Sequence, residues 1–318
     1  MSRTLLFLLA LPCTLAAEEQ DFATWLAQLR QEAQYQGLTD QILDRALKGL
    51  RPNPRILALE EGQPEHTITL ATYLRRVVPA NRVKAARQRL AKHRALLDEI
   101  GTRYGVPPEY IVALWAVESD FGRNMGKTPV VAALATLAHG AKRPHRRELF
   151  RTELLAALRI LDQQVVAPEQ LVGSWAGALG QCQFMPTNYL TLAVDYDQNQ
   201  RRDIWHEMPD VFASIAHFLA EKGWAQDQTW GREVKLPGDF DAKLIGLEVQ
   251  KTLSDWQALG VRRVEGGDLP TRDLNASLVR PDQGRTFLVY GNFRVLREWN
   301  RSNYFGLAVS QLADRLAQ

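Results

Sequence analysis

The chain has 318 residues, of which 46% are hydrophobic and 24% charged, with a net charge of +3 and a pI near 8.9. This composition excludes a low-complexity disordered chain and is long enough to bury a sizeable core. The mild positive balance suits an anionic polymer but falls far short of the dense basic footprint of a nucleic-acid binder, so no nucleic-acid partner is expected.

The first residues read as a signal peptide over positions 1–17. Arg3 supplies the positive start, positions 4–11 an apolar run, and Thr14-Leu15-Ala16 small residues for cleavage. The run is too short to span a bilayer. A buried N-terminal helix is the other reading, and the polar Glu18-Glu19-Gln20 that follows favours export. Cys13 lies inside this segment; acylation there would make a lipoprotein, but Pro12 is unlike the small residue that such processing prefers. Cys182 is then the single cysteine of the exported chain, with no intrachain disulfide.

Phe22, Trp25, Leu26 and Leu29 fall at i, i+3, i+4 and i+7 and predict an amphipathic helix. Residues 39–50 repeat the pattern with Ile42, Leu43, Ala46 and Leu47, and Thr39 is a candidate N-cap. Pro52 and Pro54 break the chain, and residues 83–104 read as one long, basic, solvent-facing helix. Helices joined by glycine-rich loops then run from Pro107 to about Trp224. Residues 233–236 and 285–290 look like strands, with turns at Pro237-Gly238, Gly266-Gly267 and 282–284 and a helix expected over 247–259. The chain returns to helix over 293–316.

Pro107-Pro108 opens a helix that is apolar nearly all round. Ile111, Leu114, Trp115 and Glu118 share its most apolar stripe, and Gly122 is the expected C-cap. Burial and the negative end of the helix dipole both raise the pKa of a carboxyl placed there. A carboxylic acid still protonated near neutral pH can protonate a leaving oxygen. The alternative is a glutamate that rotates to solvent or pairs with Arg123. Asp120 does not qualify as its catalytic partner, because residues i and i+2 point to different sides.

The segment Gly173-Ser-Trp-Ala-Gly-Ala-Leu-Gly-Gln-Cys-Gln-Phe-Met-Pro186 combines close-approach glycines, the polar groups of Ser174, Gln181 and Gln183, and the flat rings of Trp175 and Phe184. It is either a sugar-binding loop or a tight helix–helix corner. The run Asp195-Tyr-Asp197-Gln-Asn199-Gln-Arg201-Arg-Asp203 places oxygen ligands as an EF-hand loop does, with the Arg201 carbonyl at position 7. Gln200 replaces the usual glycine and His206 the closing glutamate, so a solvated polar turn is the competing reading. Cys182 shows no sign of an activated thiol.

Three motifs, Trp115-Ala-Val-Glu-Ser-Asp-Phe-Gly122, the loop 173–186 and Trp299-Asn-Arg-Ser-Asn-Tyr304, together resemble the lytic murein transglycosylase B family over nearly the whole chain after the leader. The resemblance implies a mainly α (α+β) protein: an N-terminal helical subdomain (18–104), a lysozyme-like catalytic core (105–225), a small β-containing α/β insert (226–292) and C-terminal helices completing the core (293–318). It implies cleavage of the MurNAc–GlcNAc bond of peptidoglycan to a 1,6-anhydro product, with Glu118 as acid/base and no cofactor in the chemistry. Ser174, Gln183, Trp299, Asn300, Tyr304 and Phe305 match glycan-contacting or cleft positions, and Arg146 matches a basic residue of the groove. Phe305 falls where some relatives carry a tyrosine, so that hydroxyl is missing here. Family members close the metal loop with a later aspartate, here Asp210, giving Asp195, Asp197, Asn199, Arg201 and Asp210 as ligands of a structural Ca²⁺ (or Na⁺). The expected setting is a periplasmic monomer acting on glycan strands, with cell-wall synthesis or division proteins as further partners. A hydrolytic muramidase and a non-catalytic peptidoglycan-binding protein are the competing readings.

Overall fold

The computed structural model describes residues 21–62 and 68–318. The signal-peptide and Cys13 readings lie outside the described residues. Helices α1 (Phe22–Tyr35), α2 (Asp40–Leu47), α3 (Pro54–Glu61), α4 (Leu70–Val77), α5 (Ala80–Lys92) and α6 (Arg94–Tyr104) lead into α7 (Pro108–Ser119), the helix that carries Glu118. Next come β1 (Thr128–Pro129), α8 (Val130–Gly140), α9 (Pro144–Asp162), β2 (Val172–Gly173), α10 (Pro186–Leu192) and α11 (Met208–Glu221). An α/β segment follows: β3 (Gly231–Lys235), β4 (Gly246–Thr252), α12 (Leu253–Ala258), β5 (Arg262–Arg263), β6 (Asn275–Val279) and β7 (Thr286–Val289). Helices α13 (Gly291–Trp299) and α14 (Asn303–Leu316) close the chain. The fold is mainly helical and lysozyme-like, with small sheets.

One hydrophobic core runs from Leu29 to Leu316 and includes most of α7. Residues 110–116 of α7 are buried without interruption, because α5, α6, α11 and α14 pack around it. A helix enclosed on every side has no polar face to spare. The five-stranded sheet has the order β4-β6-β7-β3-β5 and is antiparallel throughout. Its central strands β6 and β7 are buried on both faces. Phe287 and Val289 join the main core, whereas Leu288 and Leu278 face a smaller core around Trp256, as the two-residue side-chain period of a strand requires.

Several expectations change. Residues 83–104 form two helices, not one, and Val83, Ala86, Leu90, Leu97 and Ile100 are buried. The break falls at His93, whose ring sits edge-on against Trp115 and Phe212. The helix expected over 247–259 is strand β4 followed by the short α12, capped by Thr252. A register shift in β4 spoils the alternation that would have marked it as a strand. Strand β6 was not anticipated; its run Asn275-Ala-Ser-Leu-Val279 is only five residues long and buries the polar Ser277, so polarity does not report its faces. The C-terminal helix is interrupted after Trp299, with Ser302 capping α14. Thr39 occupies the N-cap position of α2, but its hydroxyl and amide bond the Asp162 carboxylate instead, tying α2 to α9.

Candidate active site

Glu118 lies one residue before the end of α7. The helix stops at Asp120, not Gly122, because Asp120, Phe121 and Gly122 all take positive φ (51°, 62° and 81°). Two non-glycine residues in this region store backbone strain, of order 1–3 kcal/mol each. The surroundings hold them there. The Phe121 ring packs edge-on against Trp115, and Ser119 Oγ accepts from the Gly122 amide. Asp120 is held by Arg123 at 2.8 Å and Arg82 at 3.5 Å, so Arg123 pairs with Asp120 and leaves Glu118 to another partner.

That partner is Trp299. Its indole Nε1–H donates to Glu118 Oε1 at 2.6 Å. Burial pushes the Glu118 carboxyl up to about 8, and the indole hydrogen bond works against that rise. Among the described residues, no carboxylate contributes to the shift. Taken as a whole residue, Glu118 is partly buried. Cys182 lies close enough to feel the Glu118 charge, but its thiol is fully buried and pushed well above its ordinary value, mainly by desolvation. It is an inert packing residue.

The glycine loop is stitched to this helix end. Gln181 accepts from Trp115 Nε1 at 2.6 Å and donates to the Trp205 carbonyl at 2.7 Å. Gln183, at φ 50°, donates to the Met125 and Gly180 carbonyls. Its Oε1 makes no hydrogen bond among the described residues. Ser174 Oγ accepts from the amides of Ala176 and Ala178, which leaves its O–H free to donate outward. Gly126, at φ +85°, lets the β1–β2 pairing bring loop and helix turn together: a Cβ there would lie 2.0 Å from the Gly173 carbonyl oxygen. Phe184 is not a platform for sugars. It is 1% exposed and packs on Trp299 and Phe218.

Asn300 follows Trp299 on the surface, its Oδ1 accepting from the Ser302 amide. The Tyr304 hydroxyl donates to the Ile68 carbonyl, and its ring meets Tyr73 edge-on. Phe305 is 4% exposed, so it backs the site from inside the core. Arg146 binds Glu60 at 3.1 Å and lies over the Phe150 ring; no hydrogen bond or ion pair among the described residues ties it to the Glu118 group. Sequence reasoning missed Glu153. This buried carboxyl accepts from both the amide and the hydroxyl of Thr187 and so pins the start of α10, directly after the loop. Only the Pro186-Thr187 helix start hinted that a partner was needed.

In the second predicted site, ligand oxygens of Asp195, Asp197 and Asp210 lie within 4.8 Å of one another. Asp210 is fully buried and accepts from the amides of Tyr196 and Asp203. Desolvation, then the charges of Asp197 and Glu207, lift it to about 6, against the pull of those amides. Asn199 sits beside them, its side-chain nitrogen donating to Asp197 and Glu207. Glu207 was not foreseen. Asp203 turns away to cap Trp205 and His206, and only the backbone of Arg201 touches the loop, through Asn199 Oδ1.

The transglycosylase SLT domain family matches residues 21–314. The chain belongs to this family. It is 35% identical over 223 residues to the membrane-bound lytic murein transglycosylase B of Escherichia coli (strain K12), an alignment covering 67% of this chain. The match spans 58% of that relative's own length. The crystal structure of SltB3 from Pseudomonas aeruginosa in complex with NAG-anhNAM-pentapeptide superposes with a TM-score of 0.86 at 41% identity, covering 94% of this chain and 80% of that one. The E. coli lytic transglycosylase Slt35 in complex with calcium gives 0.79 at 27% identity, covering 93% and 92%.

Proposed function

We propose that this protein is a peptidoglycan lytic transglycosylase with Glu118 as its general acid and base. The observation that carries the reading is a solitary carboxyl at the end of a buried helix, raised to about 8, with an indole N–H as partner and no second carboxylate acting on it. A retaining glycosidase needs a nucleophilic carboxylate about 5 Å from the acid. A transglycosylase needs none. Protonated Glu118 gives its proton to the oxygen between MurNAc and GlcNAc as the C1–O bond breaks, and the 2-acetamido group of MurNAc supports the positive charge at C1. Ionised Glu118 then takes the proton of the muramyl 6-hydroxyl, whose oxygen closes on C1. The carboxyl ends as it began, no water is consumed, and the intramolecular attack gains from proximity. An acid with a pKa near 8 suits both halves of the cycle.

The free Ser174 hydroxyl and Gln183 Oε1 border the α7 turn and fit as contacts to the glycan, as does exposed Asn300. Tyr304 and Phe305 shape the wall behind them, and Arg146 lies farther along the groove in this reading. The substrate is then the glycan strand of murein, which places the reaction in the periplasm. SltB3 was crystallised with such a fragment. Asp195, Asp197 and Asp210, with Asn199 and the Arg201 carbonyl, fit a hard cation such as Ca²⁺: clustered carboxylate oxygens, one on a buried residue, repel one another until a cation joins them. The ion would stiffen the loop between α10 and α11 and take no part in the chemistry.

The test is product analysis of purified murein digested by the wild type and by Glu118→Gln. Anhydro-muropeptides, lighter by one water than hydrolysed ones, are expected from the wild type only. Reducing-end sugars alone would make the protein a muramidase. An inert wild type would leave a glycan-binding role.

A further inference from the structure

Trp299 does more than line a cleft. Its ring packs against Phe218 of α11, at 4.6 Å between centroids, and Phe184 of the glycine loop, at 5.3 Å, and those two rings also meet each other at 5.8 Å. Three packed aromatic rings fix the direction of the indole N–H. That N–H is a donor only and can never accept. It ends on Oε1 of Glu118 at 2.6 Å.

We infer that Trp299 is a positioning residue acting through Glu118: by engaging Oε1, it leaves Oε2 to carry the proton in both directions. The inference rests on the acid/base reading above. In the acid form, Oε1 is the carbonyl oxygen that accepts the indole hydrogen, and the hydroxyl sits on Oε2. Oε2 passes its proton to the glycosidic oxygen as C1–O breaks, and later takes one back from the 6-hydroxyl as C1–O6 forms. The carboxyl need not rotate between the two steps. The indole also favours the ionised form, so a carboxyl pushed far up by burial is still acidic enough to give up its proton within the cycle.

The charged and titratable groups nearby do not offer another explanation. Cys182 stays protonated, Asp120 is held by Arg82 and Arg123, and Arg297, Glu298 and Arg301 flank Trp299 in sequence without contributing to the state of Glu118. Trp299 is thus the one hydrogen-bond donor to this carboxyl among the described residues.

Two measurements test the inference. The first is the pH–rate profile of Trp299→Phe on murein, a variant that keeps a ring against Phe184 and Phe218 but lacks the N–H. The expected result is a fall in kcat of about 10–100-fold, the value of a hydrogen bond to a charged group, with KM little changed. The basic limb of the profile should also move up by roughly one unit. A rise in KM with an unmoved basic limb would overturn the inference and leave Trp299 a sugar-contacting surface. The second is NMR of the indole ¹⁵N–H signals of the intact protein, which does not depend on the variant folding or on turnover. One indole signal should titrate with the midpoint of the basic limb and lose that titration in Glu118→Gln. If murein is cut to anhydro products but no indole follows Glu118, the inference fails and the function stands. If an indole titrates in a protein that leaves murein uncut, the pairing stands and the proposed function falls.

Discussion

Two carboxyls of the protein, Glu118 and Asp210, have been treated alike by burial and differently by their neighbours. Glu118 rises to about 8 with one donor and no acidic neighbour; Asp210 rises to about 6 with two backbone donors and a ring of other acids. Desolvation is the largest cause in both. The difference lies in what relieves it. A lone carboxyl with spare lone pairs takes a proton, and a proton is something it can hand on. A carboxyl among others, with one amide held by each oxygen and a lone pair left on each, fits a cation and holds a loop. Burial by itself therefore does not mark a catalytic residue; the partners decide.

Replacing each carboxyl by its amide should separate the two roles. Glu118→Gln removes the transferable proton, and activity on murein should fall at least about 10²–10⁴-fold while the fold persists. A residual rate within a few-fold of wild type would erase the distinction. Asp210→Asn should do the opposite. An amide has one acceptor oxygen, so it cannot serve both the Tyr196 and Asp203 amides, and a buried donor is left unpaired at a cost of about 1–3 kcal/mol. Thermal unfolding should register the loss, with kcat changed far less than in Glu118→Gln. Removing the cation is the milder form of the same test. With Ca²⁺ at about 100 times its Kd, the chain should gain about 2.7 kcal/mol over a chelated sample. Asp210→Asn should show little of that gain, and Glu118→Gln all of it. A wild type indifferent to Ca²⁺, Na⁺ and chelator would reduce the loop to a polar turn.

The same contrast explains what could be read in the sequence. The stripe of Ile111, Leu114, Trp115 and Glu118 was legible because a helix enclosed by helices leaves an apolar run on its sequence. The acidic spacing at Asp195, Asp197 and Asn199 was legible because ligands drawn from one loop must recur at short intervals. Interactions between distant segments were not. Glu118 and Trp299 are 181 residues apart, and Glu153 and Thr187 are 34 apart. Neither pairing leaves a periodic trace, and only the family resemblance brought Trp299 to the site. Residues 247–259 failed for a local reason. Leu247 and Val249 pack on different cores across an irregular strand, so helical spacing fitted the letters as well as alternation did.

The pH dependence of stability is the most direct measure of what Glu118 gives up for its chemistry. Its carboxyl has a pKa near 4.5 in an unfolded chain and about 8 in the fold. Below pH 4.5 both states hold the proton, so the group contributes nothing to pH dependence. Between pH 4.5 and 8 the folded protein keeps the proton that the unfolded chain has lost, so stability falls as pH rises. Above pH 8 the loss is complete and level. Glutamine has no proton to lose. The melting temperature of Glu118→Gln should therefore match wild type near pH 4, exceed it increasingly up to pH 8, and keep a constant lead beyond, as expected where an active site trades stability for activity. A difference that stays the same at every pH would mean that the glutamine changes packing alone, and that the carboxyl titrates in the fold much as it does in water.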